Sequence, residues 1–457
     1  MKYEKEFLHT LNKGKALSDK KVSNPISPDV LLEKMDISLS EQATKESLQS
    51  IIDNIFDFSV NTQNPRFLNQ LFGGSTEEAW LGELIVSMLN TSMATYEIAP
   101  LATLMEKEVL SRINDEINFP VSEGLIVPGG SYANMLGINC ARFSKNSSTK
   151  ESGMYNNSRQ IYYVSEDAHY SSSKAMALLG LGTDCLVTVK VDANRKMDIN
   201  DLNEKINLSR SQGDIPTCIV STAGTTVYGA YDPISEINKI CESEKIWHHV
   251  DAAWGGLVLW SDKKDSLMRD IEKVDSITLD FHKLMASTLT KGIFLTSKPN
   301  VLKGANSGGG SKYIFHDERG LDIGTYSIQC GRKVDSLPIW MQWKMRGTQH
   351  YREKISDLYE LQDWFVDKLL NSPSKYKLIL KPEFMNICFQ ILPKGNVDIS
   401  EFNKKAREIV MENGNFMVNF SSNETDGYFF RLVFNHWDVN KAILDELLTE
   451  LDEIISL

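Results

Sequence analysis

Lys283 follows a short apolar run and could serve as a reactive amine. Residues 277–279 are β-branched or aliphatic, which is typical of a buried strand, and the polar pair His282-Lys283 comes shortly afterwards. A lysine in a buried position gives up its proton more readily and can then form a Schiff base with a carbonyl carbon. Lys283 could equally cap the strand and reach solvent, so neighbouring features must decide between the two interpretations.

Polar side chains also follow other predicted strands of this region. His169 comes after a strand predicted at 160–165, and Thr226 and Asp251 come after two later strands. Each has a purely structural alternative, since His169 could be a buried, hydrogen-bonded histidine, Asp251 could cap a turn, and Thr226 could simply end its strand. Their shared position at strand ends is the first argument for a site.

The turn Gly129-Gly130-Ser131 has the composition of a phosphate-binding turn. It joins an apolar strand end to a predicted helix. Glycines let backbone amides approach a ligand closely, and the N-terminus of a helix attracts negative charge. The same residues could form an ordinary turn and helix cap.

The elements that must position these residues alternate along the chain. Strands are predicted at 160–165, 185–191, 217–222, 247–250 and 293–296, with helices at 171–179, 199–206 and 234–242. Such alternation predicts βαβ units and a mostly parallel sheet, in which ligands bind at the carboxyl ends of the strands.

Three regions are expected along the chain. Residues 1–60 form an N-terminal helical arm with too few apolar residues to fold alone, which we expect to pack on a partner subunit. Residues 61–335 form a large domain that carries the candidate site. Residues 336–457 form a smaller C-terminal α+β domain that begins with a long helix over 337–370.

Composition excludes several classes of protein. The 457 residues carry a net charge of −12, which argues against nucleic acid or an anionic membrane as a partner. The charged start and the lack of a long apolar run predict a cytoplasmic protein without a membrane segment. The six cysteines are scattered, so neither a metal site nor a disulfide framework is indicated.

The candidate residues together match the requirements of pyridoxal 5'-phosphate (PLP). Lys283 would hold the aldehyde of this cofactor, Asp251 would keep its ring nitrogen protonated, and His169 could stack on the ring. The turn at Gly130 and Ser131 would bind the phosphate.

An ordered set of motifs extends this interpretation to residues 60–455. They include 64–71, 95–100, 222–229, 249–256, Pro128-Gly129-Gly130-Ser131, His169-Tyr170-Ser171, His282-Lys283, Gln329-Cys330-Gly331-Arg332 and Phe429-Phe430-Arg431. In these motifs the chain resembles the group II PLP-dependent decarboxylases, in the branch of glutamate, cysteine sulfinate and aspartate decarboxylases. The resemblance implies an α/β, aspartate aminotransferase-like (type I PLP) fold with a mostly parallel sheet in the large domain. It also implies an obligate homodimer with active sites at the subunit interface.

The resemblance assigns roles to individual residues. It implies that Lys283 is the Schiff-base lysine, Asp251 the partner of the ring nitrogen and His169 the stacking base. Further cofactor contacts are implied for Thr226, Ala253, His282, Gly130, Ser131, Tyr132 and Ala133. Substrate-binding positions are implied for Gln70, Phe72 and Arg431, with the loop around Phe72 serving the pocket of the neighbouring subunit.

The chain departs from the family pattern at several places, including Ala133, which stands where the family has a serine on the phosphate side. The loop at 313–322 is about four residues shorter than in the relatives and lacks the tyrosine thought to protonate the substrate carbon, so His316 is the candidate acid. Asp280 stands where animal enzymes have asparagine, which places a carboxylate near the phosphate. Ala94 replaces a bulky aromatic residue and would enlarge the substrate pocket.

The resemblance implies decarboxylation of a small L-amino acid, with acidic substrates (aspartate, cysteine sulfinate or glutamate) preferred. One alternative is 2,4-diaminobutyrate or a larger amino acid admitted by Ala94. Another is an aldehyde-forming oxidative decarboxylase, which the missing tyrosine suggests. A non-catalytic PLP-binding scaffold is disfavoured by the presence of Lys283, Asp251 and His169.

Overall fold

A computed structural model describes residues 2–119, 123–155, 158–308, 313–316 and 319–456. The chain forms two compact units. The first unit contains Met1–Gly74, Glu360–Lys381 and Met385–Leu457, and the second contains Ser75–Tyr359 and Pro382–Phe384. Within the described ranges, none of the helices combines the length and apolar character needed to cross a membrane.

The secondary structure is a mixture of helices and strands throughout. The helices are α1 (Glu4–Lys15), α2 (Pro28–Lys34), α3 (Leu48–Phe58), α4 (Glu77–Leu89), α5 (Pro100–Ile117), α6 (Gly130–Lys145), α7 (Thr149–Ser152), α8 (Ser171–Leu178), α9 (Ile199–Ser211), α10 (Ile234–Glu244), α11 (Lys264–Leu267), α12 (Val301–Asn306), α13 (Ser336–Leu370), α14 (Ile399–Asn413) and α15 (Lys441–Ser456). The strands are β1 (Phe67–Leu68), β2 (Glu123–Val127), β3 (Gln160–Ser165), β4 (Leu186–Val189), β5 (Ile215–Thr222), β6 (Trp247–Ala252), β7 (Ser276–Asp280), β8 (Gly292–Thr296), β9 (Tyr376–Leu378), β10 (Asn386–Ile391), β11 (Met417–Asn423) and β12 (Gly427–Val433).

The second unit is built on a seven-stranded sheet. Its strand order is β2-β8-β7-β6-β5-β3-β4. Strands β3 to β7 run parallel to one another, whereas β8 is antiparallel to both β2 and β7. Strands β6 and β7 are buried along their whole length, as expected for a parallel sheet covered on both faces. The carboxyl ends of β3, β5, β6 and β7 therefore lie along one edge of the sheet.

The first unit contains a five-stranded sheet with the order β1-β11-β12-β10-β9. Its strands are antiparallel except for β1, which pairs parallel with β11. Phe389 and Phe430 stack across the β10–β12 pair with ring centroids 5.6 Å apart. Helix α15 buries Leu444, Leu447 and Leu451, whose spacing of three and four residues places them on one face.

The predicted fold class is confirmed, and most predicted elements lie within a few residues of the observed ones. Strand β3 has the predicted bounds, and the helix predicted at 337–370 is α13, which Gly347 interrupts with a φ of 73°. The antiparallel direction of β8 was not predicted, because side-chain periodicity carries no information on strand direction.

The two compact units do not follow the predicted boundaries at 60/61 and 335/336. Residues 61–74 group with the first unit because β1 pairs with β11. Residues 336–359 group with the second unit, where Gln342 Nε2 donates to Met285 O at 2.6 Å and Ser336 Oγ donates to Ala102 O at 3.1 Å. Packing of the N-terminal arm on a partner subunit stays a prediction.

Candidate active site

The glycine turn before α6 has the backbone geometry that the sequence suggested. Gly129 has a φ of 88°, a conformation that side chains disfavour. A Cβ atom on Gly130 would lie 2.7 Å from Asp280 Oδ2, so only glycine leaves room at this position. The helix N-terminus is therefore approached closely by Asp280 at the end of β7. We refer to Gly129, Gly130 and the first turn of α6 as the glycine cradle, and its use as an anion site stays a prediction.

The residues that follow Gly130 have different environments. Ser131 is exposed, Tyr132 is half-buried and Ala133 is fully buried. The backbone N–H groups of Tyr132 and Ala133 donate to Gly129 O at 3.1 and 3.2 Å. Their predicted role in holding the phosphate stays a prediction, and it would require these amides to share or exchange their present acceptor.

Asp251 lies buried on β6 and is held by two hydrogen bonds. Its Oδ2 accepts from Asn134 Nδ2 at 2.7 Å, and its Oδ1 accepts from Ala253 N at 3.1 Å. Asn134 also donates to Ser171 Oγ at 3.0 Å. Both carboxylate oxygens are thus fixed, which orients the group that we expect to face the ring nitrogen.

Behind Asn134, a buried chain of hydrogen bonds continues across the sheet. Asn134 Oδ1 lies 3.0 Å from His249 Nε2, and His249 Nδ1 lies 2.8 Å from Ser276 Oγ, which accepts from Trp247 Nε1 at 2.8 Å. Because both Asn134 N–H groups are used as donors, its oxygen must accept, and the proton of His249 belongs on Nε2. Burial lowers the pKa of His249 to about 4, so this imidazole is neutral near pH 7.

Lys283 lies just after β7 and is half-buried. Its Nζ is 3.1 Å from Asp280 Oδ2, and the same oxygen is 3.9 Å from His282 Nε2. His282 Nδ1 accepts from the backbone N–H of Lys291 at 3.0 Å, so the proton of the neutral ring belongs on Nε2, toward the glycine cradle. Burial lowers the pKa of His282, which favours this neutral form.

His169 lies in the loop after β3 and is half-buried. Its Nδ1 accepts from Ser171 N at 3.2 Å, and its ring centroid is 4.1 Å from that of Tyr170. Burial lowers the pKa of His169, while the nearby charge of Asp251 opposes that change and the charge of Lys283 adds to it. The imidazole is therefore within electrostatic range of both of the other candidate residues.

The loops that carry Thr226 and Ala253 approach each other closely. A Cβ atom on Gly224 would lie 2.8 Å from Gly255 Cα, and Gly224 has a φ of 84°. Ala253 is buried and Thr226 is half-buried. Both stand at the carboxyl edge of the sheet, as predicted, and their contacts with a cofactor stay predictions.

The predicted substrate residues belong to the first unit and form a group of their own. Arg431 is buried on β12, and its Nη2 donates to Asn69 O at 2.6 Å. Phe72 packs on Phe67 with ring centroids 5.8 Å apart, and Gln70 is exposed. Asn435 Nδ2 donates to the backbone oxygens of Gln70 and Phe72 at 2.5 and 2.6 Å, which fixes this loop next to β12.

The loop that carries His316 is described only at 313–316 and from 319 onward. The His316 ring is 60% exposed, with Nδ1 4.0 Å from Glu97 Oε2. A cavity of about 440 Å³ is lined by Thr95, Tyr96, Glu97, Ile314, His316, Arg319 and Asp322. The shortened part of the loop extends over residues outside the described ranges, and the role of His316 as an acid stays a prediction.

No role was predicted from the sequence for Asn134 or His249. The signals were present, since Asn134 lies one helical turn after Gly130 and His249 lies two residues before Asp251 on the same strand face. They could not be read as contacts without knowing that α6 packs over β6.

The arrangement suits PLP. Within 75–359 the structure brings together an amine on Lys283, a doubly hydrogen-bonded carboxylate on Asp251, an imidazole on His169 and a glycine cradle at a helix N-terminus. Asp280 Oδ1 is buried and has no hydrogen-bond partner among the described residues, which marks the cradle as a place where a further polar group can bind.

Comparisons with known proteins agree with this chemistry. The pyridoxal-dependent decarboxylase conserved domain matches residues 28–392. Human cysteine sulfinic acid decarboxylase is 34% identical over 462 residues, covering 97% of this chain and 93% of that protein. The human acidic amino acid decarboxylase GADL1 is 33% identical over 441 residues, covering 93% and 84%. The crystal structure of mouse CSAD superposes with a TM-score of 0.92 at 33% identity and covers 99% of both chains. The chain therefore belongs to the pyridoxal-dependent decarboxylase family and is an amino acid decarboxylase that uses PLP.

Proposed function

We propose that this decarboxylase acts on a small acidic L-amino acid, namely aspartate, cysteine sulfinate or glutamate, and releases the corresponding amine and CO2. The observation that supports this substrate class most directly is the buried guanidinium of Arg431, which is anchored beside the loop of Gln70 and Phe72. A guanidinium binds a carboxylate with two parallel hydrogen bonds. The names of the similar human enzymes point to the same class of substrate.

The reaction uses three residues of the second unit in distinct roles. When bound, PLP supplies an electron-withdrawing ring that stabilises the negative charge left on Cα as CO2 departs. Lys283 Nζ would bind the aldehyde carbon of the cofactor, Asp251 would keep a proton on its ring nitrogen, and His169 would stack on the ring. The hydrogen bonds from Asn134 and Ala253 keep the Asp251 carboxylate oriented for this task.

A proton must then reach Cα, and we assign this transfer to His316. Its imidazole is exposed and can therefore exchange protons with water. The loop at 313–322 does contain Tyr313, which is 81% exposed, but this residue does not lie at the position of the tyrosine in the relatives. If protonation is slow, the second candidate function follows, in which one amino acid, one O2 and one water yield aldehyde, ammonia, CO2 and hydrogen peroxide.

We propose that the functional form is a homodimer, as the resemblance to the family implies. Helix α4 exposes Leu81, Ile85, Met88 and Leu89 at spacings of four, seven and eight residues, which places them on one apolar stripe. Large apolar residues are also exposed on α5, at Leu101 and Leu104. Exposed apolar surface of this kind is typical of a subunit interface. The cytoplasmic location expected from the sequence stays a prediction.

A panel of amino acids tests the substrate assignment. PLP-loaded enzyme is incubated with aspartate, cysteine sulfinate, glutamate, 2,4-diaminobutyrate and one aromatic amino acid, and CO2, amine, aldehyde, ammonia and O2 are quantified. We expect an acidic substrate to give CO2 and amine in equal amounts without O2 uptake. Turnover confined to diaminobutyrate or the aromatic substrate would contradict the acidic assignment, and aldehyde with ammonia and O2 uptake would establish the second candidate function.

A further inference from the structure

Asp280 is a buried carboxylate in direct contact with the glycine cradle. Its side chain is 2% exposed, and Oδ2 lies 3.1 Å from Lys283 Nζ and 3.9 Å from His282 Nε2. The same oxygen would lie 2.7 Å from a Cβ on Gly130, so it rests against the first turn of α6. Asp280 therefore brings a negative charge to the place where the phosphate of PLP is expected.

The second oxygen of Asp280, Oδ1, accepts no hydrogen bond from any described residue although it is buried. Leaving a buried charged acceptor without a donor is costly, so a donor brought by a ligand would stabilise it. A singly protonated phosphate carries such a donor, whereas a fully ionised phosphate offers only acceptors and adds like charge.

We propose that Asp280 lowers the affinity of this enzyme for PLP and makes the cradle favour the singly protonated phosphate over the dianion. In the unloaded enzyme Asp280 pairs with Lys283, and this ion pair is lost when Lys283 binds the cofactor. In the loaded enzyme the carboxylate faces the phosphate. Both effects oppose cofactor binding, and the second weakens as the phosphate gains a proton near its second pKa of about 6.

The groups around Asp280 come from four segments. Lys283 and His282 lie on the segment that follows β7, and the first turn of α6 approaches at Gly130. Ala253, after β6, contributes only a methyl group. His169, after β3, interacts electrostatically with Asp280. Lys283 is the cation in direct contact with Asp280, and it is also the residue expected to bind the cofactor.

The inference rests on the proposed roles of Lys283 and the Gly130 turn, and a titration of cofactor-free enzyme tests it. PLP dissociation constants are measured by tryptophan fluorescence for the wild type and Asp280→Asn at about pH 8 and about pH 6. We expect Kd to fall about tenfold in Asp280→Asn at the higher pH, as removal of a close like charge predicts, and the difference between the two proteins to become smaller at the lower pH. An equal or higher Kd in Asp280→Asn at the higher pH, or a gap that widens as the pH falls, would overturn the proposal.

A matched control uses Asp275, just before β7, whose Oδ1 pairs with Lys298 Nζ at 2.8 Å. Asp275→Asn removes the same charge at the other end of the strand, and we expect an unchanged Kd. An equal gain in this variant would show that overall charge, and not Asp280, sets the affinity.

Inorganic phosphate provides a second readout that needs no variant. As a competitor of PLP on the wild type, phosphate should bind more tightly at about pH 6 than at about pH 8, because the lower pH favours the singly protonated ion. Tighter binding at the higher pH would contradict the proposal. If the wild type forms a borohydride-reducible bond with PLP but Asp280→Asn shows no gain in PLP affinity, only this inference is contradicted. Absence of that bond in the wild type contradicts the proposed function.

Discussion

The side-chain amide of Asn134 donates to Asp251 Oδ2 over 2.7 Å, and its oxygen accepts from the buried imidazole of His249. The carboxylate that we propose to serve the cofactor ring is thus one end of a buried hydrogen-bond chain that continues between β6 and β7 to Ser276 and Trp247. Every member of this chain has a defined donor or acceptor role, so a substitution in the middle of the chain should change the orientation of the Asp251 carboxylate.

Asn134→Ala should lower kcat about tenfold to a hundredfold while the protein still binds PLP, because Asp251 loses its shortest hydrogen bond and a bond to a charged group contributes about 1.5–3 kcal/mol. Steady-state kinetics and the absorption spectrum of the bound cofactor measure the two effects separately. The matched control is Asn139→Ala on the same helix, whose amide donates to Asn306 at 2.9 Å. Equal losses in both variants would show a general packing defect.

The buried histidines of β6 should make stability depend on pH. Burial lowers the pKa of His249 to about 4 and that of His248 to about 3, whereas both would titrate near 6.5 in the unfolded chain. The unfolded state therefore binds more protons below pH 6.5, so this contribution to stability is complete above pH 6.5 and is lost as the pH falls toward 4.

We expect His249→Gln to have a free energy of unfolding that falls less than that of the wild type between about pH 7.5 and about pH 5, by on the order of 2 kcal/mol. Denaturant titrations at the two pH values measure this difference. His350→Gln, at a half-buried position on α13 where burial also lowers the pKa of the histidine, is the comparison variant and should change the slope less than His249→Gln does. Parallel pH profiles for the wild type and His249→Gln would contradict the neutral, buried state of His249.

The elements were predictable from the sequence to a greater extent than the contacts between them. β-Branched runs bounded by turns located β3 within its observed bounds, and strand ends located Asp251, His169 and Lys283 on one edge of the sheet. The link between Asn134 and Asp251 joins residues 117 positions apart, and nothing in local periodicity reports such a contact. The pairing of β1 with β11, which shifted the boundary between the units, is of the same kind.

Lys291 is another residue whose role only the fold reveals. It is fully buried, its Nζ lies 3.0 Å from Glu83 Oε2 and 3.3 Å from Asp335 Oδ1, and its backbone N–H donates to His282. Lys291→Met should destabilise the protein by about 1.5–3 kcal/mol, because the half-buried carboxylate of Asp335 loses the lysine in direct contact with it and, among the described residues, Glu83 keeps only Lys333 as an ion-pair partner. Lys298→Met, which removes a half-exposed lysine, should cost less than about 1 kcal/mol. Similar midpoints in thermal unfolding for the two variants would refute a structural role for Lys291.

Arg431 should decide the preference for acidic substrates. Arg431→Ala is expected to raise KM for the preferred acidic substrate by about tenfold or more, as the loss of a bidentate carboxylate contact predicts. The comparison variant is Arg407→Ala in the same unit, whose Nε donates to Val418 O at 3.3 Å, and its KM should be unchanged. Unaltered kinetics in Arg431→Ala would reject its carboxylate-binding role.

Lys283 is proposed to hold the cofactor, and mass spectrometry after borohydride reduction tests this assignment. PLP-loaded wild-type enzyme is reduced and digested, and the peptide that carries the cofactor is sequenced; Lys283→Ala and Lys298→Ala are treated in parallel. We predict that the modification lies on Lys283, persists in Lys298→Ala and is absent from Lys283→Ala. A cofactor attached to another lysine in the wild type, or retained after reduction of Lys283→Ala, would show that Lys283 is not the cofactor-binding lysine.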